Sequence, residues 1–252
     1  MTTQFEMSAE YYDIFYSQRR YQDDVAAIEA LIKDVLPPDA AVLDVACGSH
    51  EHARYFNPRY QIDGLDNNQT FLDIASAKNR QRPRPGGYHL ASMDAFALGR
   101  RYDAILCLFS SIGYLPDTTA LHSAIQCFSD HLAPGGVILI EPWLAPDAMD
   151  SFPAAQVVTA RQTSIARISR HRIDGDKLTL WLHYLTSDSA GVQYFVEEHK
   201  MSFFSADDYR RAFDAAGLTL EFDPIGLSSA RGLYLCRKRV TASQGRAMAA
   251  NA

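Results

Sequence analysis

At 252 residues, with 47% hydrophobic and 21% charged side chains, the chain has the make-up of a globular protein long enough to bury a full core. A formal net charge of −6 argues against a nucleic-acid backbone as the main partner, and the Arg pairs (Arg19-Arg20, Arg100-Arg101, Arg210-Arg211) are isolated. No run approaches the roughly 20 apolar residues of a membrane span, there is no basic-then-apolar start, and the cysteines Cys47, Cys107, Cys127 and Cys236 have no paired spacing, so reduced thiols in a cytoplasmic protein are expected.

In chain order, residues 8–36 read as helical, because Val25, Ile28, Leu31, Ile32 and Val35 recur at helical steps and Pro37-Pro38 stops them. A strand at 41–46 and a helix at 50–56 follow, then a strand at 60–65 and a helix over 69–78. The run from Arg82 to Gly87 reads as a loop, with strands at 88–92 and 102–109 beyond it. A helix at 117–132 closes in Pro134-Gly135-Gly136, before a buried strand at 137–141. This alternation predicts an α/β fold, a doubly wound, mostly parallel seven-stranded sheet.

From 157 to 204 the pattern changes to strands with polar alternation, predicting an antiparallel β sheet inserted after the fifth core strand. A helix over 205–216 opens with the capping pattern Ser205-Ala206-Asp207-Asp208. Strands near 218–223 and 232–237 complete the core sheet. The expected organisation is a core with an N-terminal helical cap over 1–156, the insertion over 157–204, core completion over 205–240 and a disordered tail over 241–252.

The most informative stretch is Val42-Leu43-Asp44-Val45-Ala46-Cys47-Gly48-Ser49-His50, a buried strand breaking into a turn of small residues. Eighteen residues beyond Gly48, Asp66 ends the next apolar run. Strand, small-residue turn and distal acid together make a site for a nucleoside with ribose hydroxyls. Asp66 would accept from the ribose diol, or cap the helix that follows; Asn67 beside it can reach ribose or base. Asp44 would orient the turn or meet an ammonium, or cap the helix after it. Ala46, Gly48 and Ser49 matter for being small. Ser92 and Met93 follow the third strand, where a base would lie. Ser111 and Tyr114 lie just past the strand ending at Phe109, and Glu141 and Trp143 past the next, at the edge where substrates of open sheets bind. The eight histidines have no ligand spacing, so no catalytic metal is expected.

The spacing resembles class I S-adenosylmethionine (SAM) dependent methyltransferases. More narrowly, Tyr12-Asp13, Leu43–Gly48, Gly99–Tyr102, Phe109–Gly113, Glu141–Trp143, His183–Leu185 and Arg231–Leu233 resemble the nucleotide-deoxyaminosugar N,N-dimethyltransferases of macrolide biosynthesis, over nearly the whole chain. The resemblance implies SAM as cofactor, held by Tyr12, Tyr21, Asp44, Ala46, Gly48, Ser49, Asp66, Asn67, Ser92, Met93 and Phe109. It implies a small-molecule acceptor touched by Tyr16, Ser111, Tyr114, Trp143, Tyr184, His199 and Arg231, with Tyr114, His183, Tyr12 and Glu141 as catalytic candidates. Nucleic acid and membrane are not expected as partners; a homodimer is compatible.

The chain departs from that pattern at three places. Gly48-Ser49-His50 replaces Gly-Thr-Gly, so His50 must point away from the cofactor or touch its methionine end. Ala91-Ser92-Met93 replaces Gly-Asp-Met, and Tyr114 replaces a His. The expected function is therefore methyl transfer to an amine nitrogen of a secondary metabolite. A C-methyltransferase of an aromatic or indole-like molecule and a non-catalytic SAM-binding regulator are the alternatives. A dinucleotide dehydrogenase fits poorly, since Gly-Ser-His lacks the glycine spacing that a pyrophosphate demands.

Overall fold

The computed structural model describes residues 4–238; the tail expected over 241–252 lies outside them. After a turn of 3-10 helix at Ser8–Tyr11 come α1 (Tyr12–Phe15) and α2 (Tyr21–Ile32), then β1 (Ala41–Val45), β2 (Gln61–Asp66), α3 (Gln69–Asn79), β3 (Tyr88–Leu90), β4 (Tyr102–Cys107), α4 (Thr118–His131) and β5 (Leu132–Ile140). Four strands follow: β6 (Ala155–Ala160), β7 (Thr163–Asp174), β8 (Lys177–Asp188) and β9 (Gly191–Ser202). α5 (Ala206–Ala215), β10 (Leu218–Asp223) and β11 (Leu233–Lys238) close the described chain.

The seven-stranded sheet has the order β10-β11-β5-β4-β1-β2-β3. β1 to β5 pair in parallel, and β11 runs antiparallel to both β5 and β10. Because β1 pairs with β2 on one side and β4 on the other, successive crossovers leave in opposite directions there and open a crevice at the carboxyl ends of the strands. Apolar layers cover both faces. One packs Leu43, Ile105 and Ile138 against Leu121, Phe128 and Phe213 of α4 and α5, the other Val42, Leu106 and Leu139 against Ile28 and Ile32 of α2.

The second, four-stranded sheet is antiparallel in sequence order, β6-β7-β8-β9. It runs from Ala155 to Ser202, a shift of its start and end from the expected 157–204. Its inner face (Ile165, Leu178, Leu180, Leu182, Tyr184, Phe195, Met201) packs with Phe15 and Met149 in a core of its own.

Two expected helices are corrected. The helix over 8–36 is broken at residues 16–20, because Tyr12, Phe15 and Tyr16 belong to an aromatic cluster facing the second sheet rather than to the Val25-Ile28-Ile32 stripe. Arg19 in the break folds back to pair with Asp24 at 2.9 Å and covers the Phe109 ring at 4.1 Å. The helix over 50–56 shrinks to one 3-10 turn at His52–Arg54. His50 has φ +57, a left-handed conformation that no helix continues through, and Pro58 follows closely.

Candidate active site

A cavity of about 920 Å³ opens at the crevice beside β1, between the carboxyl edge of the parallel sheet and the inner face of the second sheet. On the parallel-sheet side the strands leave their ladder abruptly. Ala46 and Gly48 have φ +55 and +53, and Phe109 and Ser110 have φ +54 and +62. Such values are uncommon for residues with a Cβ and mark backbone that its surroundings hold in place. A Cβ added at Gly48 would meet nothing within 4 Å, so the backbone there borders open space. The Gly48 N–H donates to Asp66 Oδ2 at 2.8 Å, tying the two strand ends together.

Asp66 sits at the tip of β2, and its Oδ1 accepts from the Asn68 N–H at 2.9 Å. The job of helix cap falls to Asn68, whose side chain accepts from the Phe71 N–H at 3.2 Å. Each Asp66 oxygen therefore keeps a lone pair for a further donor. Burial raises the Asp66 pKa, opposed by the Gly48, Asn68 and Asn67 N–H groups. Asn67, Ser92 and Met93 border the same part of the cavity, with Leu65 and Phe71 supplying apolar surface.

The opposite wall is aromatic and cationic. Tyr12, Tyr16, Phe109, Ser111, Tyr114, Trp143, Tyr184, His199 and Arg231 all border the cavity. Arg231 donates to Ser110 Oγ at 2.8 Å and lies 4.7 Å over the Trp143 ring. The buried Trp143 Nε1 has no hydrogen-bond partner, a donor left for a ligand. Tyr114 Oη lies 2.8 Å from His199 Nδ1. Sequence reasoning missed Phe5, Phe71, Phe152, Arg167, Leu180 and Leu182, which line the cavity too. Arg167 is 4% exposed; it donates to Tyr16 Oη at 3.1 Å and to Gln156. Phe5 packs on Tyr12, Phe71, Tyr114 and His199 from an N-terminal segment with no periodicity to betray it. The alternation along β8 was a usable signal for Leu180 and Leu182.

Five expected site residues lie outside the cavity wall. His183 is on the outer face of the second sheet, 2.8 Å from Tyr194 Oη and stacked on its ring, because neighbours on a strand point to opposite faces and Tyr184 takes the inner one. Glu141 is fully buried, accepting from the Phe109 N–H at 2.5 Å and from the Ser229 hydroxyl; it ties the ends of β4 and β5 to the loop before β11. Tyr21 opens α2 and packs edge-on against His52. Ser49 is buried and donates to Asp13 Oδ1 at 2.5 Å. Asp44 turns inward beneath the turn, its Oδ2 at 3.6 Å from His50 Nε2.

His50 thus points away from the cavity. Tyr88 donates its hydroxyl to the Ala75 carbonyl at 3.1 Å, so His50 Nδ1, 3.0 Å from Tyr88 Oη, carries the hydrogen and donates to it. The bare Nε2 then faces Asp44 with no other partner. Burial, with Asp66 nearby, pushes the Asp44 pKa up to about 8, and burial pushes that of His50 down to about 3. Both sit neutral under the turn.

Among the described residues no group of three or more His, Cys, Asp or Glu is placed to hold a metal. The parts present suit an adenosyl sulfonium: open backbone at Gly48, a carboxylate with free lone pairs for a diol, and apolar flanks at Leu65, Phe71 and Met93. Comparison with known proteins agrees. The methyltransferase-domain family profile matches residues 15–221. A dTDP-3-amino-3,6-dideoxy-alpha-D-glucopyranose N,N-dimethyltransferase of Streptomyces fradiae is 36% identical over 231 residues, covering 90% of this chain and 89% of that protein. The Streptomyces venezuelae dTDP-3-amino-3,4,6-trideoxy-alpha-D-glucopyranose N,N-dimethyltransferase is 34% identical, with coverage of 90% and 96%. Among solved structures, Streptomyces venezuelae DesVI superposes with a TM-score of 0.82 at 32% identity, covering 92% of this chain and 98% of that one. SAM-bound CalS10, an amino pentose methyltransferase from Micromonospora echinaspora, gives 0.78 at 27%, with coverage of 95% and 99%. The chain is therefore a SAM-dependent methyltransferase and belongs to the family of aminosugar N,N-dimethyltransferases.

Proposed function

We propose that the enzyme methylates the amino nitrogen of a deoxyaminosugar carried on a nucleoside diphosphate. The observation that carries the reading is one cavity with two unlike walls: the Gly48–Asp66 pair on one side, and an aromatic wall bearing the cations Arg167 and Arg231 on the other. A diphosphate needs such positive charge, and planar Arg forks suit its oxygens. Tyr16, Trp143 and Tyr184 offer faces for a sugar or base. Similarity to dTDP-aminosugar N,N-dimethyltransferases over about nine-tenths of the chain supports the same class.

When bound, SAM supplies an electrophilic methyl on a sulfonium. Asp66 would accept from its ribose hydroxyls, Asn67, Ser92 and Met93 would border its base, and Ala46 and Gly48 would let it approach the backbone. Tyr12, Phe109 and Phe5 would screen the reacting atoms from water. The chain's main task is positioning, holding the nitrogen about 3 Å from the methyl and in line with its bond to sulfur. Transfer to carbon, or SAM binding without transfer, has no observation in its favour.

As a further part of the reading, the enzyme works in the cytoplasm as a homodimer, without nucleic acid. The four free thiols and the net charge of −6 support this. So does the exposed apolar row of Ile168, Leu185, Val192 and Tyr194 on the second sheet. No helix among the described residues is long and apolar enough to cross a membrane.

The test is incubation with SAM and a panel of nucleotide-linked aminosugars, simple amines and indoles, read by mass, with NMR locating the new methyl. Methyl on the sugar nitrogen is expected. Transfer only to carbon, or to none of the panel, would overturn the reading.

A further inference from the structure

From the acceptor wall a chain of polar side chains runs inward, away from the cavity. Tyr114 borders the cavity and meets His199 Nδ1 at 2.8 Å; on the far side of the ring, His199 Nε2 faces Glu197 Oε2 at 3.4 Å. His199 and Glu197 are both fully buried on the inner face of β9. Glu197 is held from behind by the N-terminal segment. The Met7 and Ser8 N–H groups donate to Oε1 at 2.9 Å each, and the Ser8 hydroxyl to Oε2 at 2.6 Å. Burial alone would favour the neutral acid. Hydrogen bonds from His199 and Ser8 outweigh it and keep the Glu197 carboxyl below its usual range, as the anion.

An anion at Glu197 selects the tautomer of the ring between. The hydrogen sits on His199 Nε2 and points at Glu197, so Nδ1 presents a lone pair and the Tyr114 hydroxyl must donate to it. The Tyr114 oxygen then keeps its own lone pairs for a donor in the cavity. Burial holds the Tyr114 phenol well above its usual pKa, so it stays neutral. The other charged or titratable groups facing this chain are Tyr12 from α1, Tyr16 just past its end, Arg167 from β7 and Tyr184 from β8. Glu198 and Lys200, next along β9, pair with each other at 3.4 Å.

We propose that Tyr114, His199 and Glu197 form a proton relay that makes the acceptor nitrogen nucleophilic, with Tyr114 as the catalytic residue and His199 and Glu197 positioning and charge-balancing it. The inference rests on the amine reading of the function. An N–H bond of the acceptor ammonium breaks, leaving its electron pair on nitrogen, and the proton joins the Tyr114 oxygen. The phenolic proton passes in the same movement to His199 Nδ1. The resulting imidazolium lies against the Glu197 carboxylate, so the charge taken from the ammonium ends in a buried ion pair. After methyl transfer the same path in reverse returns the proton to cavity water, and the relay is ready for a nitrogen that again carries one proton too many. Glu197 also accepts from Met7 and Ser8, so the relay and the N-terminal segment that carries Phe5 share one anchor.

Single-turnover methyl transfer to an amine acceptor, followed from about pH 6 to the pKa of the free amine, tests the relay. Tyr114→Phe and His199→Gln should be slower by about tenfold or more near neutral pH, with the deficit closing to about twofold once the amine arrives unprotonated. A deficit equal at every pH, or none, overturns the proposal, since lost packing does not depend on the state of the acceptor. Glu197→Gln should show the same trend. Independently of activity and of any variant's folding, nitrogen NMR of the wild-type protein should find His199 protonated on Nε2 and bare on Nδ1. The opposite tautomer sinks the relay. A wild-type chain that methylates no amine overturns the proposed function instead, and the tautomer still decides the geometry claimed here.

Discussion

The two walls of the cavity are built by different means. On the parallel-sheet side the ligand-facing groups are backbone at Ala46 and Gly48 and one carboxylate at Asp66, set by strand ends whose register with their neighbours leaves little freedom. On the side of the second sheet nearly everything is side chain: Tyr16, Trp143, Arg167, Tyr184, His199. A wall of backbone recognises a feature common to every use of the fold, whereas a wall of alternating side chains can be rewritten one residue at a time. The proposed function assigns the cofactor to the first wall and the acceptor to the second.

Glu141 is where the two walls could be confused, so it offers the largest effect. Its carboxylate is buried with hydrogen bonds to Phe109 and Ser229, close to the Arg231 charge. Glu141→Ala would leave the Phe109 N–H and the Ser229 hydroxyl without their acceptor and remove the negative charge near Arg231, at a cost of about 3 kcal/mol, a fall of roughly 6 to 12 °C in Tm. A normal Tm with lost turnover would instead return Glu141 to the chemistry. Next comes Asp66→Ala, which removes the charged acceptor of the backbone-built wall. SAM affinity by calorimetry should fall by at least about tenfold, while acceptor affinity changes little. Unchanged SAM affinity would move the cofactor off this wall.

A third experiment probes the alternation itself. Tyr184 and His183 are neighbours on β8, yet Tyr184 is buried on the cavity side and His183 stacks on Tyr194 outside. Tyr184→Ala should raise the KM for the acceptor several-fold, about 1 kcal/mol or more of lost aromatic contact, and leave SAM affinity alone. His183→Ala should change neither. Equal effects would mean that the second sheet presents its other face.

This pair also marks how far the sequence could be read. The parallel half was legible in Val42–Gly48, Gly64–Asp66 and the run to Phe109, because buried strands and small-residue turns are local patterns. The existence of the second sheet was legible too, as was Tyr114 at a strand end. Which of His183 and Tyr184 faces inward was also readable, since Tyr184 continues the apolar alternation of Leu178, Leu180 and Leu182 and His183 does not. Phe5 and the Glu197–Ser8 contact were invisible because nothing local marks them; the latter joins residues 189 apart. Whether His50 points away from the cofactor turn or touches the ligand was left open by the sequence, and its burial against Tyr88 and Asp44 turns it into the core.

The last effect lies beneath that turn and is read as a slope with pH rather than as a loss; its sign follows from which form of Asp44 the fold prefers. Burial beside Asp66 raises the Asp44 pKa from the usual carboxylate range to about 8, so between about pH 4 and 8 the fold holds a proton that the unfolded chain has released. Stability from this group is complete below pH 4 and is lost as pH climbs toward 8. Asp44→Asn keeps the shape of a neutral carboxyl and carries no such penalty. The Tm of the variant minus that of the wild type should therefore rise from about pH 4 to 8 and then level off. A difference that stays flat across this range would mean that Asp44 is ionised in the fold and paired with a protonated His50. The turn holding Gly48 would then rest on a buried ion pair instead of two neutral groups.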